Sequence, residues 1–520
     1  MTNPSENFAR VQGLVADAAL VAGSGVSHRD VALSVSSRFA ENDLGNADRF
    51  LAHFGDEVRF TTEAGWLAFD GRRWNRGVGA ARARNFANEV ARSIASECQF
   101  IDDEDARKDR FGWAMQSGSN GRIKGLLETA TPDLTVSIQD FDREEDLMCL
   151  HNGVVDLRTG EIYEHSPDQM MTMLAGSEFD PYAVEQPEAP TWEAFLDDVM
   201  CGDREMVDFL QRAVGYSMFA SAREQVAFFC TGDEEHKKQN GSNGKSLLLS
   251  TILAAAGEYG TTVTRTLVVE KNHEGVSNDV AKLKGKRIAV GSEFKRKDVI
   301  AAEQFKRLTG DEAVEARFLH KEFFEFENKA TMWFATNYLP LVSDQDDGVW
   351  RRMVIIPFRA KFWPKETCPP GGKVKDNSLK ERLMEELPGI LRWCIEGAMA
   401  YAAAGRLEIP PQLFAQRETK QAEFDPLRDF MTACVEVDAT AACPAVDLRR
   451  AYERFCELNG MDPMNVTAFG RRLNEEGLAK DEAMTRAKGS VWRRGAKLTP
   501  AGRAYLDRRT PEPKDRLAVV

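Results

Sequence analysis

A buried strand, a glycine-rich turn and a helix follow one another between residues 225 and 256, and no other stretch limits the fold so tightly. Gln225 to Thr231 (QVAFFCT) is an unbroken apolar run. Such runs fill the middle of parallel sheets covered on both faces. Leu247 to Ala256 reads as a helix. Between them lies Gly241-Ser242-Asn243-Gly244-Lys245-Ser246. A turn in this position aims backbone N–H groups and a helix N-terminus at phosphate oxygens. Lys245 would reach the β- and γ-phosphates, and the Ser246 hydroxyl would ligate Mg²⁺. The sequence departs from G-x-x-x-x-G-K-[ST] at its first glycine position, held by Gln239, and Asp233 to Lys238 lengthen the approach. Taken alone, the turn implies a bound nucleoside triphosphate such as ATP with Mg²⁺, and not what its hydrolysis drives.

Three more apolar runs follow: Arg287 to Val290, Ala330 to Thr336 and Met353 to Phe358. Strands alternating with helices predict a parallel sheet. Glu293 comes just after the first run, where a carboxylate can hold Mg²⁺ or orient the attacking water. Asn337 ends the second run, within reach of a γ-phosphate. Arg351-Arg352 precedes the third, and an arginine there could complete a neighbouring subunit's site. A lone acid, asparagine or basic pair is ordinarily a surface group or a turn cap. Their common order behind the glycine turn gives them weight.

A chain of 520 residues should divide into three or four domains. The net charge of −14 excludes a surface coated in basic patches, but not a narrow basic channel. Nine cysteines without a CxxC pair read as reduced thiols rather than a disulfide framework or zinc site. The N-terminus lacks the pattern of a signal peptide, and the most apolar helical stretch, Leu387 to Gly405, contains Arg392 and Glu396. The expectation is a cytoplasmic protein, in a bacterial host cytosol, with no membrane partner.

The expected organisation is a multidomain α/β chain. Residues 1–40 read as a tail or helical arm. Residues 41–190 read as a mixed α+β domain, with a hairpin turn at Asp70-Gly71 and a proline-marked linker after Pro181. Two amphipathic helices in 191–224 read as a packed pair, with an oligomerisation collar as the functional alternative. Residues 225–405 form the ATPase core and 406–425 a linker. Residues 426–520 read as three helices (429–437, 445–459 and 467–476) and a basic hairpin, the order of a winged helix. Between Thr485 and Leu506 there are basic residues, Arg493 and Arg494 among them, and no acid. That segment is a candidate for phosphate contact, with a solvated strand pair as the alternative.

Residues from about 43 to 360 resemble the phage and plasmid primase-associated helicases of superfamily 3, related to poxvirus primase-helicases. The motifs that carry the resemblance are NGKS at 243–246, LKGKRIAVGSE at 283–293, FKRLTGDEAVEARFLH at 305–320, ATN at 335–337 and VWRRMVIIPF at 349–358. NGVVDLRTGEIYEHSP at 152–167 and FLQRAVGYSM at 209–218 are similar to the domain preceding the motor in that family. The resemblance implies a modified AAA+ core, a homo-hexameric ring, and 3′-to-5′ movement on single-stranded and forked DNA for replication of a phage, plasmid or mobile element. It makes Lys245 and Ser246 the Walker A pair, Glu293 the Walker B acid, Asn337 sensor 1 and Arg352 the arginine finger, ahead of Arg351. Arg317, His320 and Lys321 fall on its DNA-contacting channel hairpin.

Many relatives also carry a primase domain. The one D-x-D candidate here, Asp140-Phe141-Asp142, sits in a charged stretch, and about forty residues precede the helicase-associated domain. The expectation is a helicase without its own primase active site, served by a separate primase or polymerase. The alternatives are a ring ATPase motor, or an initiator, acting on DNA without unwinding it.

Overall fold

The computed structural model describes residues 5–22, 25–181, 188–232, 241–270, 278–295, 298–310, 312–317, 324–342, 347–423, 426–459 and 463–506. Its first unit begins with helices α1 (Glu6–Ala22), α2 (His28–Ser36) and α3 (Asp43–Phe54). An antiparallel sheet of β1 (Val58–Thr61), β2 (Gly65–Phe69) and β3 (Trp74–Asn75) follows. Helices α4 (Arg76–Ser93), α5 (Glu104–Ser117) and α6 (Asn120–Leu134) complete the unit. Val11, Val15, Val31 and Val35 share one apolar cluster with Phe50, Val90 and Leu126. The expected tail or arm over 1–40 is therefore part of this unit's core. The segment is helical, and it packs inward: α1 buries Val11 and Val15, and α2 buries Val31, Ala32, Leu33 and Val35.

The expected boundary at 190 also moves. Strands β4 (Leu147–Cys149), β5 (Val154–Asp156) and β6 (Ile162–Tyr163) form a second antiparallel sheet. Met148, Leu150, Val155 and Leu157 belong to the apolar cluster of the central body, not to that of the first unit. Arg287, wholly buried, donates to the carbonyls of Leu147 at 2.6 Å and Met218 at 2.7 Å. Its guanidinium lies 4.6 Å from the Tyr259 ring centre. Helices α7 (Pro190–Val199) and α8 (Arg204–Tyr216) join the same cluster through Trp192, Phe195, Phe209 and Leu210. The apolar stripes considered for a collar are thus buried within the chain.

The central body is a five-stranded sheet, β13-β7-β12-β9-β8, parallel throughout. In chain order come β7 (Ala227–Gly232), α9 (Lys245–Ala256), β8 (Gly260–Val263), α10 (Asn278–Ala281) and β9 (Ile288–Gly291). Then follow α11 (Ala302–Thr309), the antiparallel pair β10 (Ala313–Ala316) and β11 (Phe324–Glu327), β12 (Thr331–Thr336), α12 (Asp347–Trp350) and β13 (Met353–Phe358). The predicted strands match four of the five. The edge strand β8, four residues with two threonines, has no apolar run to betray it. Strands β14 (Phe362–Trp363) and β15 (Lys373–Val374) and helices α13 (Leu379–Glu385), α14 (Leu387–Ala404) and α15 (Pro411–Glu423) close the body. Helices α8 and α14 meet at Gly215 and Gly397. A Cβ on Gly215 would lie 2.1 Å from the Ala398 nitrogen, so only glycine permits this approach.

The last unit runs α16 (Pro426–Cys434), β16 (Val435–Pro444), α17 (Ala445–Asn459), α18 (Val466–Glu475), α19 (Glu482–Lys488), β17 (Trp492–Leu498) and α20 (Pro500–Ala504). Two expectations are corrected. The first helix ends at Cys434 and gives way to a strand, and the basic segment is not a hairpin. Its strand β17 instead pairs antiparallel with the distant β16. Local sequence cannot show a partner some fifty residues away. Among the described residues no helix is long and apolar enough to cross a membrane.

Candidate functional site

The site lies where β7, β9 and β12 end and α9 begins. Gly241, Ser242 and Gly244 have φ values of 129°, 54° and 86°, in the left-handed region. Gly244 occupies the N-cap of α9 with no side-chain cap, so the helix's first N–H groups are left for another acceptor. A Cβ there would lie 2.5 Å from Val199 Cγ1 and 3.0 Å from Phe195 Cε2. The segment after β13 holds the turn from behind. Asn243 donates to the carbonyls of Phe358 (3.3 Å) and Ala360 (3.2 Å). Phe362 N–H donates to the Ser242 carbonyl at 2.9 Å, and Lys361 Nζ to that of Gly241 at 2.9 Å.

Lys245 is buried yet aimed across the sheet. Its Nζ donates to Asn243 Oδ1 at 3.1 Å and to Asn337 Oδ1 at 3.0 Å. Asn337 in turn donates through its backbone N–H (3.2 Å) and its side-chain amide to Glu293 Oε1. Residues far apart in sequence thus form one hydrogen-bonded chain from the turn, through β12, to β9. Burial holds the Lys245 ammonium below the ordinary lysine value, partly offset by the thiol of Cys230 and the carboxylate of Glu293. An anion here would relieve that cost. Ser246 is exposed at the cavity mouth. The turn, Lys245, Ser246, Glu293 and Asn337 line one cavity of about 600 Å³.

Sequence reasoning missed the opposite wall, where Phe195, Phe362, Lys375, Asp376 and Leu379 line the cavity. Four of these come from β14, the loop after β15 and the start of α13, which carry no motif. Only Phe195, on the buried stripe of α7, gave any signal, and it read as packing.

The remaining site residues are placed differently from one another. Arg352, expected to reach a neighbouring subunit, is turned inward. It donates to the Gly348 carbonyl at 2.9 Å and to Gln225 Oε1 at 3.0 Å, while Arg351 is exposed. Arg493 is likewise used internally, donating to the carbonyls of Leu478 and Gly470 (both 3.1 Å) and to Asn474 Oδ1. Arg494 beside it is exposed, whereas Lys497 pairs with Glu436 at 2.9 Å. The basic segment is thus partly spent inside its own unit. Arg317 is exposed just after β10, and His320 and Lys321 lie outside the described residues.

Comparison with known proteins gives two family matches. A family described as D5 N terminal like matches residues 47–201, and a family of unknown function (DUF5906) matches residues 238–352. A protein of Acanthamoeba polyphaga mimivirus named as a helicase is 25% identical over 407 residues, covering 72% of this chain and 41% of that protein. A helicase-named protein of Frog virus 3 is 26% identical over 263 residues, covering 48% of this chain and 26% of the other. A protein of African swine fever virus named as a primase is 22% identical over 230 residues, 43% of this chain and 23% of its own. The chain spans less than half the length of each of these relatives. Among solved structures, the apo NrS-1 C-terminal region covers 61% of this chain and 78% of its own at 12% identity, with a TM-score of 0.35.

Proposed function

Because the chain belongs to the D5-like primase-helicase family, we propose that it is an ATP-driven DNA helicase of superfamily 3, with a modified AAA+ core and a winged-helix-like last unit. The observation that carries the reading is the continuous contact from Lys245 through Asn337 to Glu293, facing the uncapped start of α9 across one cavity. Backbone N–H groups of the turn would cradle the phosphates, and Lys245 would meet the β- and γ-phosphates. Mg²⁺, held by Ser246 and near Glu293, would neutralise charge on the transferring phosphoryl group. Glu293 would hold the attacking water, with Asn337 fixing its carboxylate. The residue that completes a neighbour's site in a hexameric ring is Arg351 in place of Arg352, because the Arg352 guanidinium is occupied at home. Single-stranded DNA would pass the β10–β11 hairpin, whose Arg317, His320 and Lys321 would contact the backbone. Replication of a phage, plasmid or related element, in a bacterial cytosol and with a separate primase or polymerase, is the setting we assign.

The test is strand displacement on forks bearing only a 3′ or only a 5′ single-stranded tail. ATP-dependent opening of the 3′-tailed fork is expected. ATP turnover stimulated by single-stranded DNA without strand separation would instead mark a motor or initiator that does not unwind.

A further inference from the structure

The first unit concentrates positive charge where the rest of the chain does not. Residues 72–92 hold six arginines and one acid, Glu89, in a protein of net charge −14. Two of the six are committed internally. Arg73 pairs with Glu258, and Arg82 donates to the Phe69 carbonyl. The other four, Arg72, Arg76, Arg84 and Arg92, are exposed and form no ion pair among the described residues, though Arg84 also donates to Asn120.

Arg76, Arg84 and Arg92 recur every eight residues along α4. At 1.5 Å rise per residue they stand about 12 Å apart, within a helix about 27 Å long. Eight residues turn a helix by roughly 80° beyond two full turns. Arg76 and Arg92 therefore lie roughly 160° apart around the helix axis, and the three, each exposed, wind across the solvent side of α4. The other exposed residues of α4 are Gly77, Val78, Ala80, Ala81, Asn85 and Glu89, the last its one carboxylate. Most of these side chains are small, and three guanidiniums outweigh one carboxylate. Arginines wound along a helix in this way suit the phosphate oxygens of a strand that follows them, which each planar fork can engage in pairs. An acidic protein surface offers carboxylates in no fixed row, whereas a nucleic-acid strand repeats one phosphate about every 3.4 Å, three or four per arginine interval.

We propose that the outward face of α4, with Arg76, Arg84 and Arg92, is a second DNA-binding surface that takes the phosphate backbone without reading sequence. This rests on the reading of the chain as a DNA motor. The surface lies away from the ATP cavity. Arg73, just before α4, touches Glu258 past the end of α9, whereas the cavity lies at the start of that helix. DNA held here would be gripped independently of the nucleotide, keeping the chain on its track between strokes.

The test uses the full chain with Arg76→Gln, Arg84→Gln and Arg92→Gln combined, since glutamine preserves helix propensity, and a labelled oligothymidylate as the probe. Affinity is measured across a salt series. Three lost contacts on a single strand should flatten the log–log salt slope by about two. Basal ATP turnover and thermal midpoint should match the wild type. The corresponding triple lysine variant keeps the charge and should recover most of the affinity. An unchanged slope in the glutamine variant overturns the proposal, as does DNA binding that persists while binding to an acidic protein is lost. If the wild-type chain itself does not bind the oligonucleotide, the DNA-motor reading fails, a result distinct from failure of α4 alone.

Discussion

The glycine-rich turn and the C-terminal basic segment were both identified from local sequence, and the fold uses them in opposite ways. In the turn, the residues that face the cavity do so because the backbone demands it. Positive φ at Gly241 and Gly244 shapes the turn, and α9 begins with no side-chain cap on its first N–H groups. In the basic segment, facing depends on remote partners. Arg493 is captured by Gly470, Asn474 and Leu478, and Lys497 by Glu436. A backbone device is encoded where it acts. A charged side chain is committed only when a distant element arrives, so runs of charge in sequence overstate what remains for a ligand.

The sharpest consequence concerns Lys245. Its replacement by alanine should reduce ATP turnover at least about a thousandfold, because it removes the cation proposed to meet the transferring phosphate. Turnover within a few-fold of wild type, in a variant that melts normally, would place the turn with the basic segment as a pattern without the use read into it. Next comes the arginine pair. Arg351→Ala should lower turnover by about a thousandfold with an unchanged thermal midpoint. Arg352→Ala should lower the midpoint, since Gln225 and the Gly348 carbonyl lose their donor. The reverse pattern would return the trans-acting role to Arg352. A smaller effect separates Arg493 from Arg494. Arg493→Ala should cost about 2–3 kcal/mol in urea unfolding, because three acceptors lose a largely buried guanidinium. Arg494→Ala should cost less than about 0.5 kcal/mol and weaken DNA binding only slightly. Equal, negligible losses would mean that Arg493 is free for phosphate after all.

Four of the five central strands were legible, because buried parallel strands are continuous apolar runs. The fifth, Gly260–Val263, sits at the sheet edge with Thr261 and Thr262 and carries no such run. The shared position of Lys245, Glu293 and Asn337 was legible as order along the chain, each following a strand. Their mutual hydrogen bonds were not, since register across β7, β12 and β9 decides them. The wall formed by Phe362, Lys375, Asp376 and Leu379 was invisible for the same reason. That the first forty residues join a core was not legible, because α1 buries only Val11 and Val15 and the apolar stretch of α2, Val31 to Val35, is short. Nothing in the spacing alone separates Arg73 and Arg82, which are committed internally, from Arg76, Arg84 and Arg92.

The cavity over Lys245, Asn337 and Glu293 is proposed to hold ATP with its phosphates on the turn. Calorimetric titration of ATP with Mg²⁺ into the wild-type chain and into Gly244→Val addresses it directly. A valine there would force a strained backbone and meet Val199 and Phe195. One ATP bound per chain by the wild type, and affinity reduced at least about a hundredfold in a Gly244→Val protein that still shows wild-type circular dichroism, is the predicted result. Equal affinity in the two proteins, or no binding by the wild type, would contradict it.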